Sequence, residues 1–195
     1  SFIANAAYTL LNRYVLTATL RADGSSMVGD DHTWGIFPSI SSEWNVLKEP
    51  FMHTLKGIST LKLRMGYGQS GNLGGISAYT TMDNVQQTGI VPVNNTPTVT
   101  LGAIRNNNPD LKWETKSTFN IGGEIGLWHN RLMLTAEYYY SKTTDMFYAY
   151  DVPVPPFVYD KLLANIGSMS NQGFEIGFSI APIQTRDIDL NINLN

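Results

Sequence analysis

Three glycines of the chain, Gly66, Gly68 and Gly71, have the spacing G-x-G-x-x-G. In dinucleotide-binding proteins this spacing lets the backbone approach a pyrophosphate, provided that a helix begins directly after it. The next residues, Asn72-Leu73-Gly74-Gly75, are unsuited to opening a helix. The motif therefore predicts a strand that runs into a loop, and no cofactor site.

The other candidates for catalysis or metal binding are scattered. His32, His53 and His129 fall in separate predicted connectors, so neither a metal centre nor a histidine-based triad is expected. Three aspartates lack the spacing of a calcium loop and are expected to form turns: Asp23, Asp30 and Asp31. We predict no catalytic residue, no metal ligand and no cofactor, and do not expect an enzyme.

Four aromatic residues fall in a stretch that is predicted to be a loop, residues 148–167: Tyr148, Tyr150, Phe157 and Tyr159. Exposed rings on a loop stiffened by Pro153, Pro155 and Pro156 could stack on sugars or hold peptides. Equally, they could pack the loop against its neighbours. These four are the candidate substrate-binding residues.

Composition excludes several classes of protein. The 195 residues include 13 basic and 16 acidic ones, a net charge of −3, so no basic surface for nucleic acid is expected. The absence of cysteine excludes disulfides and cysteine-ligated zinc. Only 15% of the residues are charged, against roughly 25% in ordinary soluble domains, while 11% are aromatic.

Apolar and polar residues alternate along most of the chain, which is typical of strands with one apolar and one polar face. In the longest such stretch, the apolar parity holds Leu111, Trp113, Phe119, Ile121, Ile125 and Leu127, and the polar parity holds Lys112, Glu114, Lys116, Thr118, Asn120 and Glu124. The pattern predicts eight strands, at about 2–11, 14–25, 34–47, 60–70, 111–128, 131–147, 168–181 and 187–195. Several exceed the roughly 5–6 residues usual in soluble proteins.

Short and long connections alternate between these strands. Short ones lie at Asn12-Arg13, His129-Asn130 and 182–186, with a modest connector at 48–59, and long ones at 26–33, 71–110 and 148–167. All long loops therefore leave one end of the sheet, as in outer-membrane barrels. In a barrel the polar parity would line the lumen and the apolar parity would face lipid.

The aromatic residues fit two membrane interfaces, where amphipathic rings are enriched. Trp34 and Trp44 share a parity and are ten residues apart, which is roughly 23 Å along the membrane normal for a strand tilted at about 45°. The short-turn end should carry Tyr8, Tyr14 and Trp128, and the long-loop end Tyr67, Trp113, Tyr138 and Tyr140.

Several stretches, in order and spacing, resemble the C-terminal barrel portion of SusC/RagA-type TonB-dependent outer-membrane transporters of Bacteroidota. They include Arg13–Ser26, Trp34–Ser41, Leu61–Arg64, Tyr67–Asn72, Asn108–Thr115, Tyr138–Met146 and Asn165–Glu175. Met27 and Val28 depart from the pattern, because the family usually has a basic residue and an aromatic there.

The resemblance implies an all-β fold, an antiparallel transmembrane β-barrel of 22 strands of which this chain supplies about eight. Residues 1–195 would be part of one barrel domain, with the plug domain and the TonB box outside this chain. The implied partners are the TonB complex, a SusD-like surface lipoprotein and outer-membrane lipid. The implied function is import of oligosaccharides or peptides across the bacterial outer membrane.

Two alternatives stay open from the sequence. Eight strands can close into a complete small barrel that serves as an anchor or adhesin. A soluble β-sandwich that binds glycans would also contain alternating strands, with the apolar face buried under a second sheet.

Overall fold

The computed structural model describes residues 1–52, 54, 57–82, 84–184 and 189–195 of the chain. His53, part of the predicted turn 182–186 and the start of the predicted strand 187–195 lie outside these residues. Within the described ranges the structure contains ten strands: β1 (Phe2–Leu10), β2 (Tyr14–Gly24), β3 (Trp34–Asn45), β4 (Ile58–Asn72), β5 (Val85–Val93), β6 (Thr96–Ala103), β7 (Glu114–Leu127), β8 (Leu132–Asp151), β9 (Lys161–Gln184) and β10 (Asp189–Leu194). Single turns of 3-10 helix occupy Asp30–His32, Val46–Lys48 and Pro50–Met52. No helix in the described ranges is long and apolar enough to cross a membrane.

Eight strands form one antiparallel sheet in the order β1-β2-β3-β4-β7-β8-β9-β10. The eight predicted strands and their antiparallel arrangement are confirmed. In the part of the chain that the structure describes, β1 and β10 end this order and are not paired with each other. A closed eight-stranded barrel would require that pairing, so the structure does not support the small-barrel alternative.

The register places the apolar residues of neighbouring strands side by side. One row across the sheet contains Tyr8, Leu16, Ser42, Met65, Ile121, Tyr138 and Phe174. We call the face that carries this row the outer face, and the opposite one the inner face. The apolar side chains of the outer face are exposed; the exposed fraction of Ile176, for example, is 69%. A soluble sandwich would bury such a face under a second sheet, so that alternative is wrong.

The interpretation of residues 71–110 as one long loop is wrong, because they contain the hairpin of β5 and β6. Pro92 and Pro97 sit opposite each other in this hairpin, and its register shifts between Gln87 and Gly89. Both features interrupt the simple alternation by which a strand is recognised in a sequence.

The predicted loop 148–167 is also too long. β8 continues to Asp151 and β9 already begins at Lys161, so only 152–160 connect them. Register shifts between Thr143 and Phe147 interrupt the pairing just before this extension. Tyr148 and Tyr150 therefore belong to a strand and not to a loop.

Leu111 and Trp113 were predicted on the apolar parity of a lipid-facing strand, and this prediction is wrong. β7 begins only at Glu114, and Leu111 is fully buried in a cluster with Val28 and Ile76. The Trp113 ring packs edge-on against Phe37, with centroids 5.6 Å apart. Phe37 shares its strand face with Ser39 and Ser41 of the inner face, so Trp113 covers the inside of the sheet.

Candidate functional site

The inner face is a concave polar surface built from small side chains, which we call the inner wall. Two neighbouring rows form its centre: Ser39, Gly68, Thr118, Ser141 and Asn171, and then Ser41, Gly66, Asn120, Tyr139 and Gly173. They line an open hollow of about 550 Å³. Because hydroxyl and amide groups dominate and most side chains are short, the wall offers hydrogen bonds without filling the space in front of it.

Charged side chains follow on the inner wall toward the short turns. Arg64 donates from Nη2 and Nε to Oε2 of Glu137, at 2.9 and 3.2 Å, and Asn120 donates to the other carboxylate oxygen at 3.4 Å. Lys62 lies 3.6 Å from Glu43 across β3 and β4. The predicted polar parity is confirmed for these positions. It is also confirmed for Glu114, which opens β7 opposite Asn72, although the Glu114 carboxylate is buried in the loop region. It is wrong for Lys112, which precedes β7, while Asp187 lies outside the described residues.

At the long-loop end, asparagine side chains attach the segment before β7 to the start of β9. Asn106 donates to the carbonyls of Tyr159 and Lys161 at 2.7 and 2.8 Å. Asn108 donates to the carbonyl of Leu163 at 2.8 Å. Side-chain amides thus replace the backbone ladder where no strand continues.

Two further polar residues complete this attachment. The Asn165 amide accepts from the backbone N–H of Lys112 at 2.9 Å and donates to its carbonyl at 2.8 Å. The buried Glu114 carboxylate accepts from the Asn72 side chain at 2.7 Å and from the Phe147 backbone N–H at 2.8 Å. The loop end is therefore an ordered rim above the inner wall, and the sequence prediction did not identify it.

The four candidate substrate-binding aromatics do not form one cluster. Tyr148 and Tyr150 alternate along β8 with Phe147, which packs against the Leu111 cluster, so their rings point away from that cluster. Phe157 lies half-buried in the connector 152–160. The Tyr159 hydroxyl donates to the Ala103 carbonyl at 2.8 Å, which ties this ring to the end of β6.

A buried carboxylate at the short-turn end was also missed from the sequence. Glu49 is 7% exposed and accepts hydrogen bonds from the Tyr14 hydroxyl at 2.5 Å, the Trp44 indole at 3.0 Å and the Arg13 guanidinium at 2.5 Å. The hydrogen bond from Tyr14, reinforced by Trp44 and Arg13, lowers the pKa of the Glu49 carboxyl below its ordinary value, although burial acts in the opposite direction. The contact fastens the connector after β3 to the start of β2.

Aromatic rings mark both ends of the outer face. Tyr14 and Trp44 are stacked at the short-turn end, with centroids 6.1 Å apart, and Trp34 lies near Phe2 at the other end, at 5.9 Å. Trp34 and Trp44 lie on the same face at opposite ends of β3, as predicted. Tyr67 lies on the outer face of β4, on the side of the long loops. Gln69, the next outer-face residue of this strand, donates to the Tyr67 hydroxyl at 3.0 Å.

All 195 residues match the family described as TonB dependent receptor-like, beta-barrel. The chain belongs to this family. It is 34% identical to the TonB-dependent receptor SusC of Bacteroides thetaiotaomicron over an alignment of 198 positions, which covers all of this chain and 20% of SusC. It is likewise 34% identical to the TonB-dependent receptor P26 of Formosa agariphila, over 95% of this chain and 18% of P26. The chain thus spans about a fifth of the length of these relatives.

Solved structures of TonB-dependent receptors show the same fold. The RagAB peptide importer in its open-open state superposes with a TM-score of 0.85 at 25% identity, over 98% of this chain and 20% of that one. The siderophore receptor PirA from Pseudomonas aeruginosa, at 16% identity and a TM-score of 0.58, shares the fold over 98% of this chain and 32% of its own. The expected resemblance to SusC and RagA is confirmed.

Membership in this barrel family gives each face its environment. The chain is a segment of an outer-membrane TonB-dependent receptor barrel, and its relatives are receptors rather than enzymes. In barrels of this kind the apolar side chains of the strands face hydrocarbon and the polar side chains face the lumen. The inner wall then lines the lumen, the long-loop end is extracellular, and the Glu49 contact lies at the periplasmic turns.

Proposed function

We propose that residues 1–195 form part of one barrel domain of a transporter that imports oligosaccharides or peptides across the outer membrane. The observation that carries this proposal is the inner wall, whose two central rows hold hydroxyl, amide and glycine positions with a single large ring, Tyr139. A wall of short polar side chains leaves room for an extended polar substrate. Its hydroxyls and amides can pair with either sugar hydroxyls or peptide groups.

The similarity to the RagAB peptide importer supports the peptide class, and the oligosaccharide class is proposed from the resemblance to SusC-type transporters. In this proposal a SusD-like lipoprotein closes over the extracellular rim. The TonB complex acts through the plug domain, which lies outside this chain. The chain itself supplies lipid-facing wall, lumen lining and extracellular loops.

Tyr148 is the strongest of the four candidate substrate-binding residues, because its ring is 61% exposed at the extracellular end and its hydroxyl makes no hydrogen bond among the described residues. Tyr150, Phe157 and Tyr159 are the remaining candidates, and Tyr159 would act only through its ring because its hydroxyl is engaged. The Tyr148 ring points away from the Leu111 cluster, so it would meet a substrate at the extracellular surface, where an exposed ring can stack on a sugar or pack against a peptide side chain.

Uptake of labelled oligosaccharides and peptides by cells carrying the intact transporter tests the proposal. Tyr148→Ala should raise the substrate concentration for half-maximal uptake, whereas Tyr8→Ala should not. Tyr8 is a matched control because it is exposed to a similar extent, 64%, but lies on the outer face toward the periplasmic turns. Uptake of neither substrate class by the unmodified transporter would contradict the proposed function.

Affinity purification of the intact transporter in mild detergent tests the partner. A surface lipoprotein should be recovered in a one-to-one complex. Recovery of the transporter alone, under conditions that preserve uptake, would contradict the SusD-like partner and leave the substrate proposal standing.

A further inference from the structure

A furrow crosses the outer face between its two aromatic ends. It exists because Ser42 is the one small side chain in its row, between Leu16 and Met65. The periplasmic part has a volume of about 620 Å³ and reaches Trp44 and Leu63. We call this depression the outer furrow. A second hollow of about 170 Å³ continues it toward Tyr67 and shares Leu16, Ser42 and Met65 with it.

The volume and lining of the outer furrow suit a ligand. Its periplasmic part falls within the range of about 300–1,000 Å³ that is common for ligand pockets. The lining is carbon from leucine, methionine and aromatic rings, with the Tyr14 and Trp44 polar atoms turned toward Glu49. Glu43 and Arg64 also line the furrow, but their side chains pair with Lys62 and Glu137 on the inner wall. The polar groups that the described lining offers a ligand are then the hydroxyls of Ser42 and Tyr8, so a hydrocarbon chain is the occupant that suits it.

We propose that the outer furrow binds one acyl chain of a phospholipid from the periplasmic leaflet. The furrow is continuous with the lipid-facing surface of the barrel, so hydrocarbon is already its surroundings. Its wider part lies at the periplasmic aromatic end, beside Tyr14 and Trp44, which places the occupant in the periplasmic leaflet. Leu16 on one side of the furrow, and Leu63 and Met65 on the other, contact the acyl chain on two sides, whereas a flat surface would contact it on one.

Two cationic side chains, Arg13 and Lys48, lie in the connectors at the periplasmic end of the sheet, the end at which the outer furrow is wider. Lys48 directly precedes Glu49, is exposed, and uses its ammonium to donate to the Asn12 carbonyl at 2.7 Å. An ammonium has three donors, so Lys48 can also bind a phosphate oxygen. Arg13 and Lys48 together outweigh the single negative charge of Glu49, so this group of three side chains is net cationic.

Lipid retention by the intact transporter tests this proposal. After purification in mild detergent, phospholipid and lipid A are extracted and quantified per barrel. Ser42→Leu fills the furrow floor and should lower the retained phospholipid about fourfold or more. A fourfold loss is the change in affinity expected when one methylene group of the acyl chain is no longer buried. Ala4→Leu is the matched control, because Ala4 lies on the outer face of β1 next to Leu20 and outside the furrow; its retention should be unchanged.

Lys48→Gln should lower phospholipid retention without changing lipid A, while Lys142→Gln, in the middle of β8 and outside the furrow lining, should leave phospholipid retention unchanged. Heat-modifiable electrophoretic mobility shows whether each variant is folded, and Ser42→Val replaces Ser42→Leu if the larger residue blocks assembly. Equal phospholipid retention in the furrow-filling variant and Ala4→Leu overturns the proposal. Retention of lipid A in place of phospholipid, or a dimer whose contact covers a lipid-free furrow, overturns it too.

Discussion

Replacing Ile121 by arginine tests whether the outer face contacts hydrocarbon. On β7 the apolar outer-face stretch runs from Leu127 to Phe119, and Ile121 lies two residues from its middle at Gly123. Two residues of a strand tilted at about 45° correspond to about 5 Å along the membrane normal, within an apolar band about 25 Å tall. An arginine costs about 2–4 kcal/mol at the midplane and little at the interfaces, so we expect about 2–3 kcal/mol for Ile121→Arg.

That free-energy change corresponds to about a 30- to 140-fold shift of the folding equilibrium. Equilibrium urea titration of the intact transporter in phospholipid vesicles, followed by the mobility of unheated samples, measures it. Asn120→Arg is the control, because Asn120 lies on the inner wall beside the Glu137 carboxylate, which can accept from the new guanidinium. Equal destabilisation by the two arginines would refute the assignment of the faces.

Three further predictions concern the two ends of the sheet. Gly29→Ala places a Cβ 1.9 Å from the Pro109 carbonyl oxygen, so it should destabilise the extracellular rim by about 1–3 kcal/mol and speed limited proteolysis of the rim. Gly89→Ala is the control and should do neither, because its Cβ lies 3.3 Å from the nearest atom, the Thr100 hydroxyl oxygen. Leu111→Ala opens a cavity at a fully buried side chain and should cost about 2–5 kcal/mol in urea titration; a smaller loss would show that the cluster collapses around the gap. Because the pKa of Glu49 is lowered in the folded state, its carboxylate stabilises that state at pH values above the ordinary glutamate pKa. This contribution should disappear as the pH falls through the lowered pKa, and Glu49→Gln should remove this pH dependence of the free energy of unfolding. The same pH dependence in Glu49→Gln and in the unmodified protein would contradict the contact.

The sequence alone was sufficient to predict the strands of the main sheet and the faces of most of their residues. In a strand the side chains alternate between two faces, so the face of Leu16 or Ile121 follows from its neighbours two residues away. The alternating loop lengths likewise predicted which end carries the extracellular loops. These features are local, and each can be recognised within a short window of the chain.

The rest depends on contacts between distant parts of the chain. Glu49 meets Arg13 and Tyr14 across 36 and 35 residues, and Asn106 meets Tyr159 across 53. No pattern within one segment indicates such partners, because only the register of the folded sheet brings them together.

The same reason explains where the sequence prediction failed. Leu111 and Trp113 continued the parity of β7 in sequence, but the pairing of β7 with β4 and β8 ends at its first residues and leaves both side chains free to pack inside. Tyr148 and Tyr150 looked like loop residues because the shifts after Thr143 hide the continuing strand. Alternation determines the faces of a strand, whereas strand pairing and packing in three dimensions decide where the strand begins and ends.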